Sequence, residues 1–313
     1  MKIFCGNAVE ILKTIPDESV NCCVTSPPYF NLRDYGARGQ IGLEKSPDDY
    51  INKLTEIFSE VRRILKDDGT LWLNIADSYG GSSKGKGAVP CGKQKTNIGS
   101  LENKNLQVNL RGGGIKPKDM IGIPWLLAFA LRNAGWYLRS DIIWHKTNAM
   151  PNPVKDRPIS CYEHIFLLTK SEKYYFNLEP LKEPVAESTL NRIKYPFKSD
   201  KYGAENYGQK PQPIQLPRKV TEIPETRRGR DVWSFGKNCG RLKHYAAYPV
   251  KLAERCIMAG CPENGIVLDP FCGSGTTGEA AVKNKRDCIL IDINQKYCDM
   301  SEKRISELNI QKE

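Results

Sequence analysis

Two short stretches carry residue types and spacings that can do chemistry. The first, Thr25-Ser26-Pro27-Pro28-Tyr29, follows the apolar run Val20–Val24. Consecutive prolines fix φ and lack N–H groups, so the loop is stiff and its carbonyls point outward as uncommitted acceptors. A planar amino group offers two N–H donors and a lone pair delocalised into its ring. The Ser26 hydroxyl and the Pro27 carbonyl can accept those two hydrogens and localise the lone pair on nitrogen. Tyr29 supplies an aromatic face on which an extruded base can stack. A plain Pro-Pro turn beside an aromatic is the competing reading, and it carries no chemistry.

The second stretch runs Asp269-Pro270-Phe271-Cys272-Gly273-Ser274-Gly275-Thr276-Thr277-Gly278, after the apolar Ile266–Leu268. Glycines at 273 and 275 permit a tight turn and a close approach to a ligand where a Cβ would clash. The helix expected from Thr277 turns its first N–H groups toward that loop, which favours an anionic group such as a carboxylate. Asp269 falls at the carboxyl end of a strand, in the crevice where open α/β sheets bind ligands, and can accept from an ammonium group. Asp292 lies 23 residues further on, at the end of the next strand, near the spacing of a ribose-binding acid. Gly273-x-Gly275-x-x-Gly278 also fits the dinucleotide fingerprint, which keeps an NAD-dependent oxidoreductase in view. Against it, a carboxylate precedes the loop where a pyrophosphate would prefer none, and only about 35 residues follow.

Alternating strands and helices must position these loops. Strands are expected at Lys2–Cys5, Val20–Val24, Thr70–Ile75, Tyr137–Trp144, His164–Thr169, Ile266–Leu268 and Cys288–Ile291. Helices are expected at 8–15, 48–65, 124–134, 249–258, 277–283 and 295–308, with Asp67-Asp68-Gly69 as a turn after the second. Residues 80–118 are rich in Gly, Lys and Asn with little periodicity, which predicts a long mobile basic loop. Residues 177–243 hold seven prolines and aromatics interleaved with basic residues, which suits an irregular lobe. Alternation at both ends of the chain implies one α/β sheet assembled from both.

The net charge of +11 concentrates in those two segments. Residues 80–118 carry eight Lys/Arg against one acid and 177–243 fourteen against eight, so the rest of the chain is slightly acidic. That distribution points to a phosphate-tracking face, with two solvated Lys-rich loops as the competing reading. The eleven cysteines are scattered, with no Cys-x-x-Cys pair and no Cys/His cluster of zinc spacing, so no metal site is expected. They read as free thiols in a reducing cytoplasm. No apolar run is long enough to span a membrane, and the N-terminus has no secretion-signal core.

Thr25–Tyr29 and Asp269–Thr277 resemble the catalytic and cofactor motifs of bacterial amino-methylating DNA methyltransferases. With the catalytic motif first, a basic region between and the cofactor motif last, the order resembles their permuted beta class. Trp72-Leu-Asn74, Ile142-Ile-Trp144-His-Lys146, Asp156-Arg-Pro158, Tyr162-Glu-His164 and His244-Tyr-Ala-Ala-Tyr-Pro249 match as well. The resemblance covers all but residues 80–118 and most of 177–243. It implies a circularly permuted class I methyltransferase fold, with a mostly parallel seven-stranded sheet and helices on both faces. Residues 1–176 would form its catalytic part, 177–243 the target-recognition region and 244–313 its cofactor-binding part. It implies S-adenosylmethionine as cofactor, held by Asn7, His244, Asp269, Phe271, Gly273, Ser274, Gly275, Thr276, Thr277 and Asp292. Catalysis would rest on Ser26, Pro27, Pro28 and Tyr29. By residue chemistry, Arg227, Arg228, Arg230 and Arg241 are the candidates for guanine or phosphate contacts on double-stranded DNA. A restriction endonuclease acting on the same site would complete the pair.

One departure stands out: the family's Gly-Asp after the first strand is Gly6-Asn7 here, whose side-chain carbonyl can still accept from the adenine amino group. Within the family, Ser at the first motif position is associated with N4 of cytosine and Asp or Asn with N6 of adenine, so cytosine is expected and adenine is the alternative. Carbon-5 methylation would need Pro-Cys in the loop, where Tyr29 stands. RNA or protein methyltransferases share the cofactor loop but carry their Pro-Pro-Tyr after it. A catalytically dead DNA-binding module would explain the charge but leave the Ser26–Tyr29 motif without a purpose.

Overall fold

The structure is a computed structural model that describes residues 1–80, 115–116, 118–149, 154–194, 225–236 and 248–310. Its larger unit, residues 1–177 with 231–313, is built on an eight-stranded sheet. In chain order the strands are β1 (Lys2–Cys5), β2 (Val20–Thr25), β3 (Leu65–Ile75), β4 (Tyr137–Lys146) and β5 (Tyr162–Thr169), then β8 (Val232–Phe235), β9 (Ile266–Asp269) and β10 (Asp287–Asp292). Their spatial order is β1-β10-β9-β2-β3-β5-β4-β8. All neighbours are parallel except β5, which runs antiparallel to both β3 and β4.

Helices cover both faces. Among them α2 (Pro47–Ile64) shows why the sequence folds as it does. Ser46 caps it by accepting from the Asp49 N–H, Pro47 opens the first turn, and acids at its start and arginines at its end complement the helix dipole. Its Tyr50, Leu54, Ile57, Phe58 and Val61 recur at helical spacing and are buried with α1 (Ala8–Leu12) and α3 (Ile123–Asn133) against Cys23, Leu71, Leu73, Leu268 and Ile291. The alternate strand residues face the opposite way, where α5 (Val250–Gly260) approaches closely enough for the Thr70 hydroxyl to donate to the Gly260 carbonyl at 2.9 Å. On that side α6 (Thr276–Lys283) contacts both α5 and α7 (Gln295–Ile310).

Three expectations change. The sheet has an eighth strand, because Val232–Phe235 leave the basic segment and pair with β4 at the sheet's edge. Trp233, expected inside the recognition region, is buried there and stacks on Trp72 at 6.2 Å. Asp67-Asp68-Gly69, expected as a turn, lies within β3, whose register against β2 slips between Val20 and Cys22. Of the basic loop, residues 81–114 and 117 lie outside the described residues. Its base is closed by a bridge between Tyr79 and Met120.

The smaller unit is Leu178–Arg230. Its described part contains a two-stranded antiparallel ribbon, β6 (Glu183–Pro184) with β7 (Thr226–Arg227), and the short α4 (Glu187–Lys194). Among the described residues no helix is long and apolar enough to cross a membrane, and no group of three potential ligands gathers to hold a metal.

Candidate active site

The two motifs are 244 residues apart in sequence and adjacent in space. β2 and β9 are neighbours whose connections leave on opposite faces, β2 through α2 and β9 through α6, so the crevice between their carboxyl ends is a topological switch point. There the Thr25 hydroxyl donates to Asp269 Oδ1 at 2.6 Å, tying the last residue of β2 to the last residue of β9.

Asp269 is buried and saturated. Besides Thr25 it accepts from the Phe271 N–H at 3.0 Å, the Tyr248 hydroxyl at 3.2 Å and the Thr277 hydroxyl. Burial raises its carboxyl pKa to about 6, against the pull of these four donors. Asp269 thus ties the glycine loop to the end of β2 and to Tyr248.

The loop's other side chains are likewise engaged from behind. Arg304 of α7 donates to the Ser274 carbonyl and the Thr276 hydroxyl, both at 3.1 Å, and pairs with Glu279. Gly273 and Gly275 both have positive φ, 51° and 79°. A Cβ on Gly275 would stand 2.9 Å from the Ser301 Cα, and one on Gly278 would stand 2.5 Å from the Ile305 Cδ1. Gly275 and Gly278 thus serve the packing of α6 on α7. The loop surface that remains for a ligand is Phe271 and the Gly273 turn.

Asp292 ends β10 beside that turn. It accepts from the Gly273 N–H at 3.0 Å and the Asn294 N–H at 2.8 Å, and burial raises its pKa. Tyr35 and Tyr297 meet edge to face at 6.4 Å, and the electrostatic influence of Asp292 reaches both. The Asn7 Oδ1 caps α1, accepting from Val9 N–H at 2.9 Å and Glu10 N–H at 3.4 Å. A short Asn side chain at this position is a natural N-cap. His244 and Arg241 lie outside the described residues.

The Pro-Pro loop is held equally firmly. Tyr50 of α2 donates to the Pro28 carbonyl at 2.8 Å, while the Pro27 carbonyl accepts no hydrogen bond among the described residues. The Ser26 hydroxyl donates to Tyr29 Oη at 3.4 Å, and Tyr29 donates to Glu163 Oε2 at 2.6 Å. Asn74 donates to the same oxygen at 2.8 Å, and Lys146 pairs with Oε1. Burial, then the Glu163 carboxylate, push the Tyr29 phenol well above its ordinary pKa. Glu163, Asn74 and Lys146 lie inside stretches that match the family, yet their convergence on Tyr29 has no signature in spacing. Two residues further, Asn31 has φ 54° and carries a buried amide oxygen and nitrogen without a hydrogen-bond partner among the described residues.

In the smaller unit, Arg227 and Arg230 are not free cations. Both pair with Glu183, at 3.2 and 3.1 Å, and the Arg230 N–H donates to it as well. Arg228 between them is exposed.

The α/β sheet thus places a glycine loop at its switch point and a Ser-Pro-Pro-Tyr loop on the neighbouring strand. The DNA methylase family model matches residues 20–303, and the chain belongs to that family of N6/N4 DNA methylases. It is similar to the Type II methyltransferases M.SmaI of Serratia marcescens, 41% identical over 97% of this chain and 90% of the relative, and M.Cfr9I of Citrobacter freundii, 40% identical over 97% and 87%. Its fold matches the cytosine-N4-specific PvuII DNA methyltransferase, with a TM-score of 0.62 at 17% identity over 96% of this chain and 85% of that one. It also matches a DNA modification methylase from Thermus thermophilus complexed with S-adenosyl-L-methionine, with a TM-score of 0.56 at 20% identity over 98% and 95%. The sheet is thus the class I methyltransferase fold in permuted order, and the enzyme is a DNA methyltransferase.

Proposed function

We propose that this enzyme methylates the exocyclic N4 of cytosine in duplex DNA after turning the base out of the helix. The observation that carries the reading is the Thr25–Asp269 hydrogen bond, which holds the Ser26 loop against the cofactor loop at the sheet's switch point. The cofactor is S-adenosylmethionine, and when bound it supplies an electrophilic methyl group. Phe271, the Gly273 turn and Asp292 have the chemistry to hold it: an apolar ring, an open backbone and a carboxylate with lone pairs left for hydroxyls. The Ser26 hydroxyl and the Pro27 carbonyl orient the amino hydrogens, and the Tyr29 ring stacks on the base. Alignment and electrostatic tuning of nitrogen are the main contributions. Ser26 offers a neutral acceptor, which supports cytosine over adenine, in keeping with the specificity named for the PvuII enzyme.

Site recognition falls to the basic residues of 177–243, among them the exposed Arg228, for which no ion pair forms among the described residues. The working context is a cytoplasmic modification enzyme paired with a restriction endonuclease of the same site.

The test is methyl transfer from labelled S-adenosylmethionine to unmethylated duplexes, with nucleoside analysis of the product. Label in N4-methylcytosine, lost in Ser26→Ala, is expected. Label in N6-methyladenine would keep the mechanism and overturn the base assignment. Cofactor binding with no label in any DNA would overturn the reading.

A further inference from the structure

Methyl transfer to a neutral amino nitrogen leaves that nitrogen cationic until it sheds a proton, and the donors around Ser26 point along one route. Ser26 O–H is directed at Tyr29 Oη, and Tyr29 O–H is directed at Glu163 Oε2, so each oxygen can accept on one side while giving on the other. Glu163 ends the line on β5, 7% exposed, with its other oxygen against the Lys146 ammonium. We propose that Glu163, reached through Ser26 and Tyr29, is the terminal acceptor of the proton released by the methylated base. The inference rests on the reading of Ser26 as the group that meets the target amine.

The nitrogen lone pair forms the N–C bond as the methyl carbon's bond to sulfur breaks, and the sulfur keeps that pair and becomes neutral. The N–H bond then gives its proton to Ser26 Oγ, whose own proton passes to Tyr29 Oη, whose proton passes to Glu163 Oε2. The base, Ser26 and Tyr29 end neutral, and Glu163 ends as a carboxylic acid. Tyr29 relays rather than stores charge, since burial and the neighbouring carboxylate hold its phenol protonated. Asn74 fits both states of Glu163. Its amide N–H serves the carboxylate now, at 2.8 Å, while its Oδ1 is buried without a partner among the described residues. A half-turn of that amide would offer the protonated acid the acceptor it needs.

Glu163→Gln and Tyr29→Phe test the route, the second because it leaves the Glu163–Lys146 pair intact should the first misfold. Each is expected to lower the single-turnover rate on the order of 10²-fold. Duplex affinity and binding of the demethylated cofactor product are expected to stay near wild type, and Glu163→Asp to recover part of the rate. The double variant is expected to be no slower than the slower single one, because both break the same line. With ¹³C-labelled tyrosine in the unliganded protein, the Tyr29 resonance is expected to titrate at lower pH in Glu163→Gln. A Tyr29→Phe enzyme at wild-type rate, or losses that multiply in the double variant, would overturn the relay. A wild-type enzyme that labels no DNA would instead overturn the functional reading beneath it.

Discussion

Thr25 and Asp269 illustrate what single side chains contribute. Thr25→Val keeps the shape and removes one of four donors to a buried carboxylate, which is expected to cost about 1–3 kcal/mol and to weaken cofactor binding. Urea unfolding and calorimetric titration with S-adenosylhomocysteine measure the two effects. Asp269 also makes a pH signature. Its pKa is raised by folding, from 3.8 to about 6, so between those values the unfolded chain has lost the proton and the folded one has kept it. Stability from this group therefore falls as pH rises through that window and is flat above it, by at most about 3 kcal/mol. Asp269→Asn should flatten the wild-type slope between pH 4 and about 6, read as the difference in unfolding free energy. An unchanged slope would mean that Asp269 is ionised throughout.

At the scale of elements, the close fit of α6 between α7 and β10 makes a second expectation. A methyl on Gly278 would meet the Ile305 Cδ1 at 2.5 Å and the Leu290 Cδ1 at 2.6 Å, so Gly278→Ala is expected to cost about 1–3 kcal/mol by overpacking. Adding Ile305→Val, which removes one of those methyls, should recover part of the loss, and thermal unfolding of the three variants decides it. The same helices mark how far sequence reaches. α2 was legible because its apolar residues recur at helical spacing between a Ser cap and closing arginines, and β9 because an apolar run meets the glycine loop. β8 was not, since Val232, Trp233 and Phe235 sit among prolines and basic residues and gain strand structure only from pairing with β4. In the site, Ser26 and Tyr29 were legible because two prolines advertise a stiff loop. Glu163 was not, because a lone acid in a buried strand reveals its purpose only when Tyr29, Asn74 and Lys146 arrive from three other segments. Asn7 carries a second role that its sequence context did not announce: it caps α1.

At the scale of the whole molecule, the positive charge proposed to meet DNA is concentrated in two segments of an otherwise slightly acidic chain, and Glu183 pairs with part of it. Glu183 engages Arg227 and Arg230 together, and the Arg230 N–H and the two guanidiniums keep its carboxyl below the usual range. Neutralising it in Glu183→Gln should leave those guanidiniums to seek phosphates. Each arginine that gains a phosphate releases condensed counterions, so the plot of log affinity against log salt should steepen by about 0.9 per new contact. Arg228→Ala should do the reverse, making the slope shallower by about 0.9 without a change in fold. Filter binding of a duplex across a range of salt concentrations, beside the thermal unfolding of each variant, separates the cases. Opposite changes in slope would assign this arginine trio to the phosphate backbone. A steeper slope for Glu183→Gln with none for Arg228→Ala would restrict the contact to the two paired residues. No change in either, with both proteins folded, would mean that the trio serves only its own ribbon and that phosphate contacts come from other basic residues of the chain.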